Sequence, residues 1–282
     1  MNFGGISKEY TDYKKSPVVV LPVPYDETST WIKGADRGPD AILEASANME
    51  LYDIETDSEV FKIGIHTAKP VLEKSSPDSM VAAVRHTVKE FLADGKFVVM
   101  LGGEHSVTAG AVMAYKEAFP GLSVLQIDAH TDLRPEYEGS KFNHACVMAR
   151  VQELCPIVQV GIRSMDVVEK PNMNKDRIFF AHEIAGASYD WSDDVIDKLG
   201  EQVYVTIDLD GFDPSIVPAT GTPEPGGLSY FEVIRLIRKL VVRKKVVGFD
   251  VVELCPMDHH KASDFLASKL IYQFLSYQFM LK

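Results

Sequence analysis

The chain has 282 residues, of which 46% are hydrophobic and 25% are charged, and this composition is typical of a globular protein with a sizeable core. Its formal net charge of −12 argues against nucleic acid or an anionic membrane as the main partner, whereas a small cationic molecule would suit it. The N-terminal segment lacks the apolar core of a secretory signal, and no run approaches the roughly 20 apolar residues that span a bilayer.

The predicted elements alternate along the chain between buried strands and helices. Runs that are apolar throughout, rather than at every second position, indicate strands covered on both faces. Strands are predicted over residues 17–25, 96–102, 122–128, 156–162, 177–181, 202–208 and 245–254. Helices are predicted over residues 77–95, 106–119, 229–243 and 263–281. This alternation predicts an α/β fold with a mainly parallel sheet, and the lack of a repeat or flexible linker predicts one domain over residues 1–282.

The three cysteines predict a reducing compartment. Cys146, Cys155 and Cys255 are odd in number and show no CxxC spacing. A disulfide framework is therefore not expected, one labile pair stays open as an alternative, and a cytoplasmic location fits best.

Three short acidic-histidine motifs directly follow predicted strands. They are GGEH (Gly102–His105), DAHTD (Asp128–Asp132) and DLDGFDP (Asp208–Pro214). Ligands of open α/β sheets bind outside the carboxyl ends of the strands, so three motifs from three strands should meet at one edge. A Pro/Gly-rich loop, residues 214–227, follows the third motif, and loops of this length are often functional.

The first two motifs also have simpler interpretations. His105 after two glycines is more often a hydrogen-bonded loop residue, although paired glycines let backbone approach a crowded site. The second motif could form a capped turn. In an extended segment, however, alternate residues point the same way, so Asp128, His130 and Asp132 can reach one locus.

The third motif places two carboxylates, Asp208 and Asp210, on one side of an extended segment, where they repel each other unless a cation neutralises them. It resembles the start of an EF-hand loop but lacks the late glutamate and follows a strand, and Asp213 is interpreted as a turn former. The three motifs together offer two histidines and four aspartates, which suit Mn²⁺ better than Zn²⁺ or Fe²⁺. Two such ions about 3.5–4 Å apart form a common hydrolytic centre, so a metal-dependent hydrolase is the leading hypothesis.

A further group of possible ligands, Asp258, His259 and His260, lies just before the last predicted helix. Its position predicts the N-terminal cap region of that helix rather than a metal site.

These motifs resemble those of the ureohydrolase family, which includes arginase and agmatinase. The resemblance rests on GGEHS, DAHTD, IDLDGFDP followed by PATGTPEPGG, FDVVELCP, and the early segment GADRGPDAILEAS at 34–46. It covers nearly the whole chain in the family's order. It implies a three-layer α/β/α sandwich, two Mn²⁺ ions per subunit and hydrolysis of a guanidinium group to urea and an amine.

The resemblance also implies which residues hold the two ions. One ion would be bound by His105, Asp128, Asp132 and Asp208. The other would be bound by His130, Asp128, Asp208 and Asp210, so that Asp128 and Asp208 bridge both ions.

Three residues take catalytic roles by the same resemblance. Asp132 would accept a proton from the attacking water and hand it to the leaving amine. Glu253 would pair with the planar guanidinium, which a carboxylate can hold by two parallel hydrogen bonds. His144 would shuttle protons with a pKa near neutral, and an ordinary loop histidine is the alternative.

The substrate is expected to lack an α-carboxylate. Arginases carry an Asn/Ser-rich segment before the active-site histidine, whereas this chain reads RPEYEGSKFNHA, with acidic Glu136 and Glu138. Agmatine is therefore the first expectation, and N1-aminopropylagmatine, guanidinobutyrate, arginine and a non-catalytic role are the alternatives. Family members commonly form trimers or hexamers, which implies a homo-oligomer.

Overall fold

The computed structural model describes residues 1–281 and contains one eight-stranded sheet in which every neighbouring pair is parallel. The strands are β1 (Val18–Val23), β2 (Ile65–Thr67), β3 (Phe97–Gly102), β4 (Leu122–Ile127), β5 (Ile157–Ile162), β6 (Ile178–Phe180), β7 (Gln202–Asp208) and β8 (Lys245–Val252). Their order across the sheet is β2-β1-β3-β8-β7-β4-β5-β6. The last two strands therefore lie in the middle of the sheet, between β3 and β4.

Eight α-helices accompany the sheet within the described residues. They are α1 (Gly38–Ser46), α2 (Pro77–Ala93), α3 (Val107–Ala118), α4 (Val147–Gln152), α5 (Ala181–Ile184), α6 (Ser192–Asp197), α7 (Tyr230–Arg243) and α8 (Ala262–Met280). None of these helices is long and apolar enough to cross a membrane.

The helices cover both faces of the sheet and enclose two hydrophobic cores. Buried side chains of α1, α6, α7 and α8 pack in one core, and those of α2, α3 and α4 pack in the other. Successive strand residues alternate between the cores, so that Val99 and Leu101 face one core while Val98 and Met100 face the other. The predicted three-layer α/β/α sandwich is confirmed, as is the parallel sheet.

The seven predicted strands and four predicted helices all form, with ends within two residues of the expected positions. The sequence did not predict β2, because three residues at the sheet edge carry too short an apolar pattern. The prediction that Asp258, His259 and His260 form the cap region of the last helix was wrong. Residues 257–260 form a separate turn, and α8 follows Lys261 without a side-chain cap.

Candidate metal centre and catalytic pocket

The GGEH motif continues β3 into a tight space between its neighbours. The N–H of Gly103 donates to Val23 O at 2.9 Å, and its carbonyl accepts the N–H of Glu253 at 2.8 Å. A Cβ atom on Gly103 would lie 2.0 Å from the backbone oxygen of Tyr25, which no side chain tolerates. The expected role of the glycines is confirmed, since only glycine lets the chain deliver His105 to this edge.

His105 is buried and directs one ring nitrogen at three carboxylates. Its Nδ1 atom lies 3.1 Å from Asp128 Oδ2, 3.1 Å from Asp132 Oδ2 and 3.3 Å from Asp208 Oδ2. The same atom makes no hydrogen bond of good geometry with a described residue. The ligand atoms of His105, Asp128 and Asp132 all lie within 4.8 Å of one another, a spacing that suits ligands of one metal ion.

The other ring nitrogen of His105 is held by a buried chain of hydroxyl and carboxylate groups. Nε2 lies 2.9 Å from Thr206 Oγ1, which donates to Asp250 Oδ1 at 2.6 Å. Asp250 also accepts the hydroxyls of Tyr204 at 2.7 Å and Thr108 at 2.9 Å. The sequence motifs did not predict these residues, although the charged Asp250 inside the apolar run of β8 was a signal.

The DAHTD motif folds as the alternation predicts. Asp128, His130 and Asp132 turn toward one locus, while Ala129 is buried and the Thr131 hydroxyl binds Glu169 on the other side. Asp128 is itself fixed, because Oδ1 accepts the His130 N–H at 2.6 Å and Oδ2 accepts the Gln126 amide at 2.6 Å.

The third motif completes a second group of ligand atoms around His130. The Nδ1 atom of His130 lies 3.0 Å from Asp210 Oδ2 and 3.7 Å from Asp128 Oδ1. Asp208 Oδ1 accepts the Asp210 N–H at 2.9 Å, so the two carboxylates share one turn. Asp213 accepts N–H groups of Ser215 and Gly227 outside the site and is a turn former, as expected.

The electrostatics of this cluster fit bound cations. Burial raises the pKa of Asp208 well above its usual value, and neighbouring Asp210 and Asp128 raise it further. Burial and the charge of Asp128 raise the pKa of Asp132 to about 7. Burial alone would lower the pKa of His105, but the three carboxylates around it hold that pKa well above its usual range. Four buried aspartates thus crowd together, and two divalent ions would balance their charge.

Glu253 follows β8 and reaches the same edge of the sheet. Its side chain lies next to the metal cluster, since Oε1 accepts the N–H of His105 at 2.6 Å. Burial raises the pKa of Glu253 well above its usual value, and the nearby Glu104 raises it further. A bound cation would offset the free-energy cost of burying this negative charge, which suits the guanidinium-binding role implied for the Glu253 carboxylate.

His144 lies beside the cluster on a short 3₁₀ turn, residues 144–146, that begins at Asn143. Asn143 Oδ1 accepts the N–H of Ala145 at 3.0 Å and so fixes the start of the turn. Burial lowers the pKa of His144 to about 4, and the charges of His130 and His105 lower it further. The ring is therefore neutral at neutral pH, and its pKa lies below the near-neutral value predicted from the sequence.

These side chains line one cavity of about 240 Å³ at the carboxyl ends of the central strands. It is lined by residues of the two histidine–aspartate clusters, by Glu253, and by residues of surrounding loops that include Ser29, Trp31, Ile32, Arg134, Tyr137, His144, Met165 and Asp166. The acidic side chains expected to face the substrate, Glu136 and Glu138, are exposed and do not line it. Asp258, His259 and His260 are also exposed and lie outside the cavity.

Residues 16–276 match the Arginase family. The chain is 40% identical to N(1)-aminopropylagmatine ureohydrolase of Synechocystis, over 96% of this chain and 92% of that relative. It is 36% identical to agmatinase of Pyrococcus horikoshii, over 93% of this chain and 92% of the relative. The solved structure of agmatine ureohydrolase from Thermoplasma volcanium superposes with a TM-score of 0.86 at 32% identity, over 99% of this chain and 95% of that one. The fold and the paired histidine–aspartate clusters therefore agree with the resemblance in the motifs. The chain belongs to the Arginase family.

Proposed function

We propose that this protein hydrolyses the guanidinium group of an agmatine-type amine and releases urea. The observation that carries the proposal is the position of buried Glu253 directly beside two convergent histidine–aspartate clusters. Glu253 provides a negative charge for a planar cation, and the two clusters provide ligands for two divalent ions. Together they suit the attack of metal-activated water on the carbon of a bound guanidinium cation.

The proposed ligands of the ions are His105, Asp128, His130, Asp132, Asp208 and Asp210. Their mixture of imidazole and carboxylate supports Mn²⁺, two ions per subunit. When bound, the ions supply Lewis acidity that lowers the pKa of water and stabilises negative charge.

Three side chains handle the substrate and its protons. Glu253 Oε1 uses one lone pair to accept the His105 N–H, so both of its carboxylate oxygens keep lone pairs for the substrate's guanidinium N–H groups. Asp132, whose Oδ2 atom lies 3.1 Å from His105 Nδ1, is placed to take a proton from the attacking water. The neutral His144 ring lies half-buried beside the cavity, where it can accept a proton from solvent and pass it to the leaving amine.

We propose N1-aminopropylagmatine and agmatine as the two candidate substrates. The named relatives support both, and the higher identity, 40% against 36%, favours N1-aminopropylagmatine. A cavity wall formed by Trp31, Ile32 and Tyr137 suits the methylene chain of either amine.

A urea-release assay tests the proposal. The protein would be stripped of metal, reloaded with Mn²⁺ and supplied in parallel with N1-aminopropylagmatine, agmatine, guanidinobutyrate and arginine. We expect urea from one or both of the first two compounds, with the higher kcat/KM identifying the natural substrate class. Faster turnover of arginine or guanidinobutyrate would contradict the substrate assignment, and no urea from any of the four would contradict the function.

We also propose a single domain over residues 1–282 and a cytoplasmic homo-oligomer, a trimer or hexamer. The continuous eight-stranded sheet supports one domain, and the family resemblance supports the oligomer. Light scattering coupled to size-exclusion chromatography measures the number of subunits.

A further inference from the structure

The hydroxyl group of Thr28 lies between two side chains of the site, the buried Glu104 and the half-buried His144. Thr28 Oγ1 is 2.5 Å from Glu104 Oε1 and 3.3 Å from His144 Nδ1. The same oxygen accepts the backbone N–H of His144 at 3.0 Å. Thr28 does not line the cavity, although the next residue, Ser29, does. Its contacts therefore act on His144 rather than on a substrate.

The hydrogen-bonding capacity of a hydroxyl group decides the direction of each contact. Threonine offers one proton and two lone pairs. The close carboxylate oxygen of Glu104 takes the proton, and the backbone N–H of His144 occupies one lone pair. The remaining lone pair faces His144 Nδ1, which must then carry a hydrogen.

Glu104 cannot move away from this arrangement. It is fully buried, and Oε2 accepts the backbone N–H groups of Thr28 at 2.6 Å and Ser29 at 3.1 Å. Its Oε1 atom also accepts the hydroxyl of Ser106 at 2.6 Å. Because Ser106 immediately precedes α3, the carboxylate is anchored to the helix start, and Thr28 is anchored to the carboxylate.

We propose that Thr28, held by Glu104, is a positioning residue that fixes His144 in the Nδ1–H tautomer. The unprotonated Nε2 atom is then the one that faces the cavity and can accept a proton there. Since burial keeps this ring neutral, only one nitrogen carries a hydrogen, and the choice of nitrogen decides whether His144 can accept a proton from the cavity side. This inference rests on the proposed function of His144 in guanidinium hydrolysis.

Steady-state kinetics of two variants test the positioning role. Thr28→Val removes the hydroxyl and keeps the shape, so we expect kcat to fall about 10- to 100-fold, as when other supporting hydrogen bonds of a site are lost. KM and bound metal should change little, because Thr28 touches neither the substrate nor an ion. Thr28→Ser restores the hydroxyl and should recover most of kcat.

Thr220→Val is a matched control. Thr220 is also buried near the site, but its hydroxyl makes no hydrogen bond among the described residues, so kcat should be unchanged. A Thr28→Val enzyme with normal kcat would overturn the inference. So would a Thr28→Ser enzyme that folds and binds metal but stays as slow as Thr28→Val.

A spectroscopic measurement separates this inference from the proposed function. Long-range ¹H–¹⁵N spectra of the protein loaded with diamagnetic Zn²⁺ report histidine tautomers without any substrate, and His144→Asn identifies the signal. We expect the Nδ1–H tautomer in the natural protein and its loss in Thr28→Val. An Nε2–H tautomer, or one unaffected by Thr28→Val, would refute the inference, whereas absent urea release would refute only the proposed function.

Discussion

Asp132 and Glu253 have positive φ angles of 52° and 65°, a conformation that residues with side chains rarely adopt. Such a residue costs about 1–3 kcal/mol and persists where its surroundings require it. The carbonyl of Asp132 accepts the N–H groups of Met148 and Ala149, and the N–H of Glu253 donates to Gly103. These bonds hold the unfavourable backbone, which in turn directs both carboxylates toward the cavity.

A substitution at Glu253 tests its proposed contact with the guanidinium. Glu253→Gln keeps the size of the side chain and removes its charge, so the substrate cation loses a buried partner. We expect kcat/KM to fall on the order of 100-fold or more, equivalent to about 3 kcal/mol. Metal content, measured by elemental analysis, should stay normal because Glu253 is not a proposed ligand. Glu201→Gln, on the surface, is the control, and an unchanged kcat/KM for Glu253→Gln would refute the contact.

The hydrogen bonds that link His105 to Thr206 and Thr206 to Asp250 predict that loss of the Thr206 hydroxyl weakens metal binding. Thr206→Val removes the hydroxyl that faces His105 Nε2 and leaves the ring free to turn. We expect the dissociation constant for Mn²⁺ to rise about 10- to 100-fold, measured by calorimetric titration of the metal-free protein. Thr206→Ser keeps the hydroxyl and should bind nearly as tightly as the natural protein. Equal affinity in Thr206→Val would show that the hydroxyl does not orient His105.

At the residue scale, the sequence predicted the members of the cluster better than their supports. Alternation within a motif places Asp128, His130 and Asp132 on one side of the chain, which is a local property. The support of His105 by Asp250 joins residues that lie far apart in sequence, and it becomes visible only when the strands are paired. The lowered pKa of His144 also depends on burial by the complete fold.

At the element scale, the strands and long helices could be predicted because their patterns are strong. Continuous apolar runs such as 202–208 are buried almost throughout, and α2 has a capping residue, Ser76, directly before its initial proline. The short elements could not be predicted. The edge strand β2 and the four-residue helix α5 depend on contacts with the rest of the sheet rather than on their own sequences.

Gly103 lies where the ends of β1, β3 and β8 meet. A methyl group added at this position is therefore expected to destabilise the sheet. Gly103→Ala would place Cβ 2.0 Å from the backbone oxygen of Tyr25, so the strands must separate. We expect a loss of stability of about 1–3 kcal/mol or more, seen as a lower Tm, together with weaker metal binding. Gly121→Ala is the control, because its nearest atom, Gln202 Oε1, is 3.4 Å away. Equal Tm values for the two variants would contradict this account of the glycine.

At the scale of the whole molecule, the metal cluster predicts a dependence of stability on bound ions. Asp128, Asp132, Asp208 and Asp210 bring like charges together in the interior, and a cation bound only by the folded state stabilises that state. We therefore expect removal of metal by a chelator to lower Tm by several degrees, and added Mn²⁺ to restore it in proportion to its concentration. Scanning calorimetry measures the shift, with sodium chloride at equal ionic strength as the control. A Tm that is the same with and without Mn²⁺ would exclude the cluster as a folded-state ion site.

The sheet order has a consequence for how the protein is made. His105 and Asp128 follow β3 and β4, which are separated in the sheet by β7 and β8, two strands that come later in the chain than either. A nascent chain that ends before β8 therefore lacks Glu253. It also lacks the strand that joins β3 to β7, and so the first two motifs are not yet held at their final distance from each other. The proposed ligands and Glu253 can come together only when β7 and β8 have entered the centre of the sheet, so we expect the complete chain, and not an N-terminal fragment, to bind metal.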